Sequence, residues 1–197
     1  MTSVSAGNTR GAPAQSWAEP DFAPVLRAAK AGEGMAFERL YRWLAPQVTN
    51  FAAARGAEDP EGIANEVFLR VFDLLDRFEG DGTAFRSWIF TIARNQVIDA
   101  HRARSRRPQV AGSDIPDLPV EAAESQAMRS LGAQRIGSLL AVLSDDQRDV
   151  ILLRMIADLS LAQVAVVVDK PITAVKALQR RGLRRLQSEI LSEVMTP

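Results

Sequence analysis

The residue types best suited to chemistry lie near the C-terminal end, in a strongly basic stretch. Between Lys170 and Leu186 there are six Lys or Arg and no acidic residue. Cations at this density match a phosphate lattice, and Arg, Lys and Gln side chains can also donate to base edges. The stretch therefore predicts nucleic-acid binding, while a solvated cationic helix in an ordinary bundle is the alternative with the same charge pattern.

The composition argues against most catalytic centres. The 197-residue chain has no cysteine and a single histidine, His101, which lies among arginines. Cysteine nucleophiles, thiolate metal sites and disulfides are therefore excluded, and we expect no histidine-based metal site or triad. The acidic residues Glu61, Glu66 and Asp73 suggest carboxylate ligands, but no Glu-x-x-His pair accompanies them. We expect no catalytic residue, no cofactor and no metal.

Charge is balanced over the chain but segregated along it. There are 24 basic and 24 acidic residues; residues 86–107 contain six Arg and His101 against one acid, whereas residues 108–126 contain four acids and no base. Such segregation creates local fields that a zero net charge conceals. The sequence has no apolar run of about 18 residues and no signal-peptide layout, so we expect a cytoplasmic protein without membrane insertion.

Two short helices joined by a tight turn are predicted to position the basic residues. Ser160 and Gln163 have capping-box spacing at the start of the first helix. The run from Asp169 to Pro171 interrupts it, because proline lacks an amide donor, and proline suits the first turn of a second helix. Val175, Leu178 and Leu186 can then face inward. This arrangement predicts a helix-turn-helix.

The N-terminal half has helical periodicity throughout. We predict a helix from Asp21 to about Ala31, then a longer helix in which Pro46 introduces a bend or a restart. A third helix, residues 60–78, should be capped by Asp59 and carry a regular apolar stripe opposite a polar, mainly acidic face. A loop at residues 79–83 and a helix with alternating aromatic and basic residues should follow. The apolar stripe of the third helix comprises Ile63, Val67, Phe68, Val71, Leu74, Leu75 and Phe78. The apolar stripe of the helix after the loop comprises Phe85, Trp88, Ile89, Ile92, Ala93 and Ile98.

These elements predict an all-α fold with two small helical domains. Residues 1–20, rich in small residues, should form a disordered tail, and residues 21–107 the first domain. Residues 108–126 contain three prolines and should form a flexible acidic linker. Residues 127–197 should form the second domain.

Both halves resemble one family, the extracytoplasmic-function (ECF) group of bacterial sigma-70-type sigma factors. In the first half, NEVFLRVF and FRSWIFTIARNQVIDAHR are similar to sigma region 2 of that family. In the second half, LSDDQRDVILLRM, DLSLAQVA and AVKALQRRGLRRL are similar to region 4. The resemblance covers about residues 37–186 and implies a protein that directs core RNA polymerase to promoters, helps to open the minus-10 element, and is not itself an enzyme.

The resemblance also implies which residues make each contact, and it implies an anti-sigma factor as a possible further partner beside core RNA polymerase and promoter DNA. The residues implied to contact polymerase are Asp59, Glu61, Asn65 and Glu66. Those implied to recognise the minus-10 element are Asp81, Arg86, Arg94, Asn95, Asp99 and Arg102. Those implied to bind the minus-35 element are Thr173, Lys176, Gln179, Arg180, Arg181 and Arg184. Gly182 stands where the family more often has alanine, and we expect it to make its helix less rigid, since glycine costs about 1 kcal/mol in a helix.

A helix-turn-helix regulator that binds duplex DNA without polymerase is the alternative function. It accounts for residues 158–186, but it leaves the acidic-faced helix and the aromatic and basic helix of the first half without a role.

Overall fold

A computed structural model describes residues 22–106 and 135–195, which form helices joined by turns and short loops, with no strand among them. The predicted all-α fold with two helical domains is confirmed. The predicted tail, the linker and the boundaries set within them lie outside the described residues.

The first half contains four helices. They are α1 (Phe22–Lys30), α2 (Gly34–Ala54), α3 (Pro60–Leu74) and α4 (Gly82–Arg106), with a 3-10 turn (Leu75–Arg77) after α3. The second half contains helical residues 135–141, here named α5, followed by α6 (Asp145–Met155), α7 (Leu161–Val168) and α8 (Ile172–Met195).

The core of the first half lies where α2 packs against α1 and α3, with α4 across α2 and α3. Leu40, Leu44 and Phe51 from α2 are fully buried, and the Phe51 ring meets Phe90 of α4 edge to face. Trp88 is half-buried and stacks on Phe78 with ring centroids 5.0 Å apart. The aromatic residues of α4 therefore serve the core, which holds the helix in a fixed rotation about its axis.

Three details of the first half differ from the sequence predictions. The α2 helix runs unbroken through Pro46, so no restart occurs; this residue is exposed, where the backbone carbonyl that loses its partner can bond to water. The α3 helix ends at Leu74, and this residue, predicted to face inward, is exposed. The α4 helix begins at Gly82, within the predicted loop, because the Asp81 carboxylate accepts a hydrogen bond from the Ala84 amide at 2.8 Å.

The second half follows its capping signals closely. Ser144 and Ser160 both form complete capping boxes, and Asp59 of the first half caps α3 as predicted. Asp169 adopts a left-handed conformation (φ 52°) that ends α7 and turns the chain into α8. Val175 and Leu178 of α8 are buried as predicted, so α7 and α8 form the expected helix-turn-helix on top of α6.

Candidate nucleic-acid interface

The α8 helix presents an open cationic face. Thr173, Lys176, Arg180 and Arg184 recur at intervals of three and four residues, which places them on one side of the helix. All four are exposed, as is Arg181, while Gln179 is half-buried at the flank. None of the four basic side chains forms an ion pair with the described part of the chain. Their charges are therefore available to an external anion.

Other polar residues fix α8 in place rather than extending this face. Arg185 donates from Nη1 to the Val142 carbonyl at 3.3 Å and to Gln147 Oε1 at 3.4 Å, so it joins α8 to the start of α6. Lys170, just before α8, pairs with Asp146 of α6 at 3.2 Å. Two of the six cations in the basic stretch thus have structural partners, and the other four face outward.

Gly182 permits the close approach of α8 to α6. A Cβ at this position would lie 2.6 Å from Ile151 Cδ1, closer than side chains pack. The Ile151 side chain is buried and has little room to move. The sequence suggested a loss of helix rigidity at Gly182, but the structure shows a packing reason for the missing side chain.

The α4 helix divides the six predicted minus-10 residues between two environments. Asn95, Asp99 and Arg102 lie at intervals of four and three residues on an exposed face, where Asp99 and Arg102 form an ion pair at 3.6 Å. Asp81 is also exposed, at the start of the helix, where it acts as the cap. This part of α4 is accessible as the sequence led us to expect.

Arg86 and Arg94 lie on a different side of α4, facing the second half of the molecule. Arg86 is only 7% exposed and donates to the backbone carbonyl of Ala157, in the turn between α6 and α7. Arg94 Nε donates to Asp149 Oδ2 of α6 at 2.7 Å. These two arginines therefore contact protein in this structure. The pattern of the sequence contained no signal for these contacts, because both partners lie more than 50 residues away.

The interface between the halves also changes the proton affinity of its charged groups. Burial lowers the pKa of Arg86 to about 10, and the nearby carboxylate of Asp158 opposes that shift. Burial raises the pKa of the Asp149 carboxyl, because the loss of hydration disfavours its charge more than Arg55 and Arg94 favour it. Both side chains are held away from water between the halves, where Arg86 and Asp149 are buried.

The outer face of α3 carries the four predicted polymerase-contacting residues. Glu61, Asn65 and Glu66 are exposed, and Asn65 Oδ1 accepts a hydrogen bond from the Tyr41 hydroxyl at 3.0 Å. The Asp59 carboxylate accepts from the Gly62 amide at 2.8 Å, so part of its capacity is used by the helix cap. The face is polar and accessible.

Sequence reasoning missed two apolar residues on this surface. Leu69 is 67% exposed and Phe72 is 61% exposed, and the Phe72 ring packs edge to face on Phe37. Neither belongs to the inward stripe of α3, and this off-stripe position was the available signal. Large apolar side chains beside acidic residues on a helix surface are typical of a protein-binding patch.

The described residues contain no cluster of His, Asp and Glu suited to a metal ion, and none of their helices combines the length and apolar character needed to cross a membrane. The single histidine, His101, lies with Nε2 2.9 Å from the Arg55 carbonyl oxygen and so ties α4 to the end of α2.

Comparison with family models identifies both halves. Residues 36–107 match the model described as Sigma-70 region 2, and residues 139–188 match Sigma-70, region 4. The first match contains nearly all of α2 and the whole of α3 and α4, and the second contains the helix-turn-helix.

Several curated proteins are similar over most of the chain. The ECF RNA polymerase sigma factor SigD of Mycobacterium tuberculosis is 30% identical over 85% of this chain and 83% of its own length. The ECF RNA polymerase sigma factor RpoE of Cereibacter sphaeroides is 30% identical over 86% of this chain and 95% of its own length. BldN of Streptomyces coelicolor, another ECF RNA polymerase sigma factor, is 32% identical over 82% of this chain and 63% of its own length.

Among solved structures, CnrH in complex with the cytosolic domain of CnrY has the same fold, with a TM-score of 0.68 over 86% of this chain and 96% of that chain at 24% identity. The likeness extends across both helical halves.

Proposed function

Because the chain belongs to the extracytoplasmic-function group of sigma-70 sigma factors, we propose specific roles for its three exposed faces. The protein is an RNA polymerase sigma factor, and the alternative of a regulator acting without polymerase is not favoured, since region 2 accounts for the half that the regulator leaves without a role. We refer to the first half as region 2 and to the second as region 4. We further propose domain limits of residues 21–107 and 127–197.

The observation that carries the DNA-binding proposal is the open cationic face of α8. In a helix-turn-helix the second helix lies in the major groove, where Arg and Lys can donate to guanine or to phosphate and Gln can pair with adenine. Lys176, Arg180 and Arg184 share this face, with Gln179 and Arg181 at its flanks and Thr173 near the helix start. We propose that these six residues bind the minus-35 element.

The exposed face of α4 fits a second DNA contact. An unstacked base requires hydrogen-bonding groups and nearby cations that hold the strand, and Asn95, Asp99 and Arg102 supply both. We propose that these residues, with Asp81, Arg86 and Arg94, recognise and help to open the minus-10 element. Arg86 and Arg94 would have to leave region 4 to take part.

The α3 face is the proposed docking surface for core polymerase. Glu61, Asn65 and Glu66 supply polar contacts, the capped Asp59 lies at its start, and Leu69 adds apolar surface. A Leu69→Ala variant should compete about fivefold less well for core polymerase, since burying a leucine contributes on the order of 1 kcal/mol or more. Met155→Ala, which removes an equally exposed apolar residue from region 4, is the matched control.

The chemistry of transcription would belong to the polymerase, so we propose that this protein is not an enzyme and that it acts in the cytoplasm. We also propose an anti-sigma factor as a regulatory partner that would separate polymerase from the α3 face. Affinity capture of the tagged protein with and without stress tests this: recovery of polymerase alone under both conditions contradicts it.

The experiment that tests the function is run-off transcription with purified core polymerase and a library of promoter fragments. We expect specific initiation that depends on the added protein, and the selected fragments identify the promoter. Tight duplex binding without polymerase, together with no initiation, would contradict the proposal and favour the regulator.

A further inference from the structure

An open cavity lies where the end of α4 meets the start of α6 and the residue that follows α2. Its volume is about 600 Å³, which is within the range of small-molecule sites and far larger than one water molecule. Four arginines contribute to its described lining, and Asp145 is the one carboxylate there. The arginines are Arg55, Arg102, Arg106 and Arg148. The lining therefore favours an anionic occupant.

Two of these arginines have charges that no carboxylate of the described chain balances. Arg148 is half-buried and donates from Nε to the Leu140 carbonyl at 3.1 Å and from Nη2 to the Leu143 carbonyl at 3.5 Å, so its partners are neutral. Arg106 is exposed at the last residue of α4 and forms no ion pair with the described residues. Both guanidinium groups can therefore bind an anion without first losing a carboxylate partner.

The third arginine, Arg55, already holds an anionic group at the edge of the cavity. Its side chain is 5% exposed, and its Nη1 donates to Asp145 Oδ1 at 3.2 Å. The Asp145 side chain is 83% exposed, so little of it is packed and it can turn towards solvent. A phosphate oxygen forms the same charge-assisted hydrogen bond as a carboxylate oxygen. A phosphate can therefore take the place of Asp145 on Arg55.

The start of α6 adds a favourable electrostatic contribution at this position. Asp145 is the first residue of this 11-residue helix. The Ser144 hydroxyl accepts from the Gln147 amide at 3.4 Å, while the amides of the first two helical residues have no acceptor within the helix. Such amides and the positive end of the helix dipole stabilise anions. The helix start thus supports the three arginines in binding an anion.

We propose that this cavity binds a small phosphorylated molecule whose phosphate groups are held by Arg55, Arg106 and Arg148. Arginine suits this role because its planar guanidinium group can donate two parallel hydrogen bonds to phosphate oxygens. Ile98 and the His101 ring line the same cavity and provide a less polar wall for the organic part of the molecule. Such a site goes beyond the proposed function, and the protein alone is sufficient to test it.

The shape of the cavity favours a small molecule over a DNA strand. Arg55 and Arg148 are reached only through the gap between the two halves, and the Arg55 side chain is 5% exposed. A terminal phosphate group can enter such a gap, whereas a phosphate within a DNA strand has a sugar on either side. Of the four arginines, only Arg102 also belongs to the proposed minus-10 surface.

Isothermal titration of the full chain with inorganic pyrophosphate tests the site, in EDTA and without polymerase. We expect one pyrophosphate bound per chain. Arg106→Gln should weaken this binding about fivefold, the upper end of the effect of one exposed charge contact. Arg77→Gln removes the same charge from an exposed position elsewhere in region 2 and should leave binding within about twofold. Circular dichroism on each variant reports whether the helices are retained.

Asp145→Asn should change the affinity in the opposite direction. The substitution removes the carboxylate that competes for Arg55, so we expect pyrophosphate to bind about threefold more tightly. Asp76→Asn, which removes an exposed acid of region 2, is the matched control and should leave the affinity unchanged. A variant that merely destabilised the fold would not bind more tightly, so this result separates a binding role from a structural one.

Three results would overturn the proposal. The first is pyrophosphate binding that is equal in Arg106→Gln and the unmodified protein. The second is binding that is lost in Arg184→Gln but kept in Arg106→Gln, which would place the anion on α8. The third is Arg106→Gln weakening the binding of a single-stranded oligonucleotide while pyrophosphate binding is unchanged, which would assign the cavity to the DNA backbone. Tighter binding of adenosine diphosphate than of pyrophosphate would support the organic wall at Ile98 and His101.

Discussion

The arginines of α8 and those of α4 occur in similar sequence patterns but in opposite environments. On α8, Arg180, Arg181 and Arg184 extend outward with no ion pair to the described chain, whereas on α4 Arg86 and Arg94 contact region 4. A basic helix identifies a candidate DNA surface in both cases. Only the tertiary structure distinguishes basic residues that face outward from basic residues that contact another part of the protein.

The largest expected effect comes from removing two arginines from the exposed face of α8. Arg180→Ala with Arg181→Ala should weaken binding of polymerase holoenzyme to minus-35 DNA by at least about thirtyfold, since each lost contact to a base or phosphate contributes roughly 1 kcal/mol or more. Core polymerase binding should be unchanged. Gel-shift titration and competition for core polymerase measure the two quantities.

Arg27→Ala with Arg77→Ala is the control, because it removes two exposed charges from region 2. It should leave minus-35 binding within about twofold at fixed salt. If the α8 double variant loses polymerase binding as well as DNA binding, then α8 has a structural role and the comparison fails.

The second prediction concerns the packing of α8 against α6. Gly182→Val should lower the free energy of unfolding of region 4 by about 1–3 kcal/mol, because the new side chain overlaps the buried Ile151. Thermal unfolding followed by circular dichroism measures the change. Leu183→Val, at the exposed neighbouring position, has the same β-branched side chain without the overlap. Equal destabilisation by both variants would show that β-branching rather than packing is responsible.

The third prediction separates the two sides of α4. Asn95→Ala with Arg102→Ala should reduce initiation about tenfold on duplex promoter, since two hydrogen-bonding groups contribute on the order of 1 kcal/mol together or somewhat more. Energy transfer between fluorescent labels attached at Asp76→Cys in region 2 and Ser188→Cys in region 4 should not change, because neither Asn95 nor Arg102 forms a hydrogen bond or ion pair with the described part of region 4. The measurements are abortive-product yield and fluorescence.

The matched control for the Asn95 and Arg102 variant of α4 is Asn50→Ala with Arg77→Ala, which removes an exposed Asn and an exposed Arg elsewhere in region 2. It should retain initiation within about twofold. Altered energy transfer in the α4 variant would contradict the assignment of these residues to the open side.

The structural features that the sequence predicted correctly are those that depend on residues close together in the chain. Asp59 and Ser160 act as caps where their spacing indicated, and the break from Asp169 to Pro171 separates the two helices of the helix-turn-helix. Helical periodicity likewise placed the core faces of α3 and α4. These features are local, since a cap or a stripe is defined within a few residues of chain.

The contacts between the halves could not be predicted in this way. Arg94 and Asp149 are 55 positions apart, and nothing in either local pattern distinguishes a buried ion pair from two solvated charges. Gly182 illustrates the same limit, because its packing against Ile151 depends on the angle at which two helices meet. Leu69 differs: its position away from the apolar stripe was visible in the sequence and indicated an exposed surface.

The smallest expected effect concerns the N-terminal cap of α7. This helix lies between α8, whose basic residues are exposed, and α4, whose Arg86 and Arg94 are covered. Ser160→Ala removes the side chain that accepts from the Gln163 amide at 3.2 Å, and it should lower the free energy of unfolding of region 4 by about 1 kcal/mol. Ser192→Ala, near the end of α8, should change it by a few tenths at most. Because Gln163 also reaches the Thr83 carbonyl, the cap variant should slightly lower energy transfer between the labelled halves. Equal energy transfer with reduced stability would show that α7 folds on region 4 independently of its contact with α4.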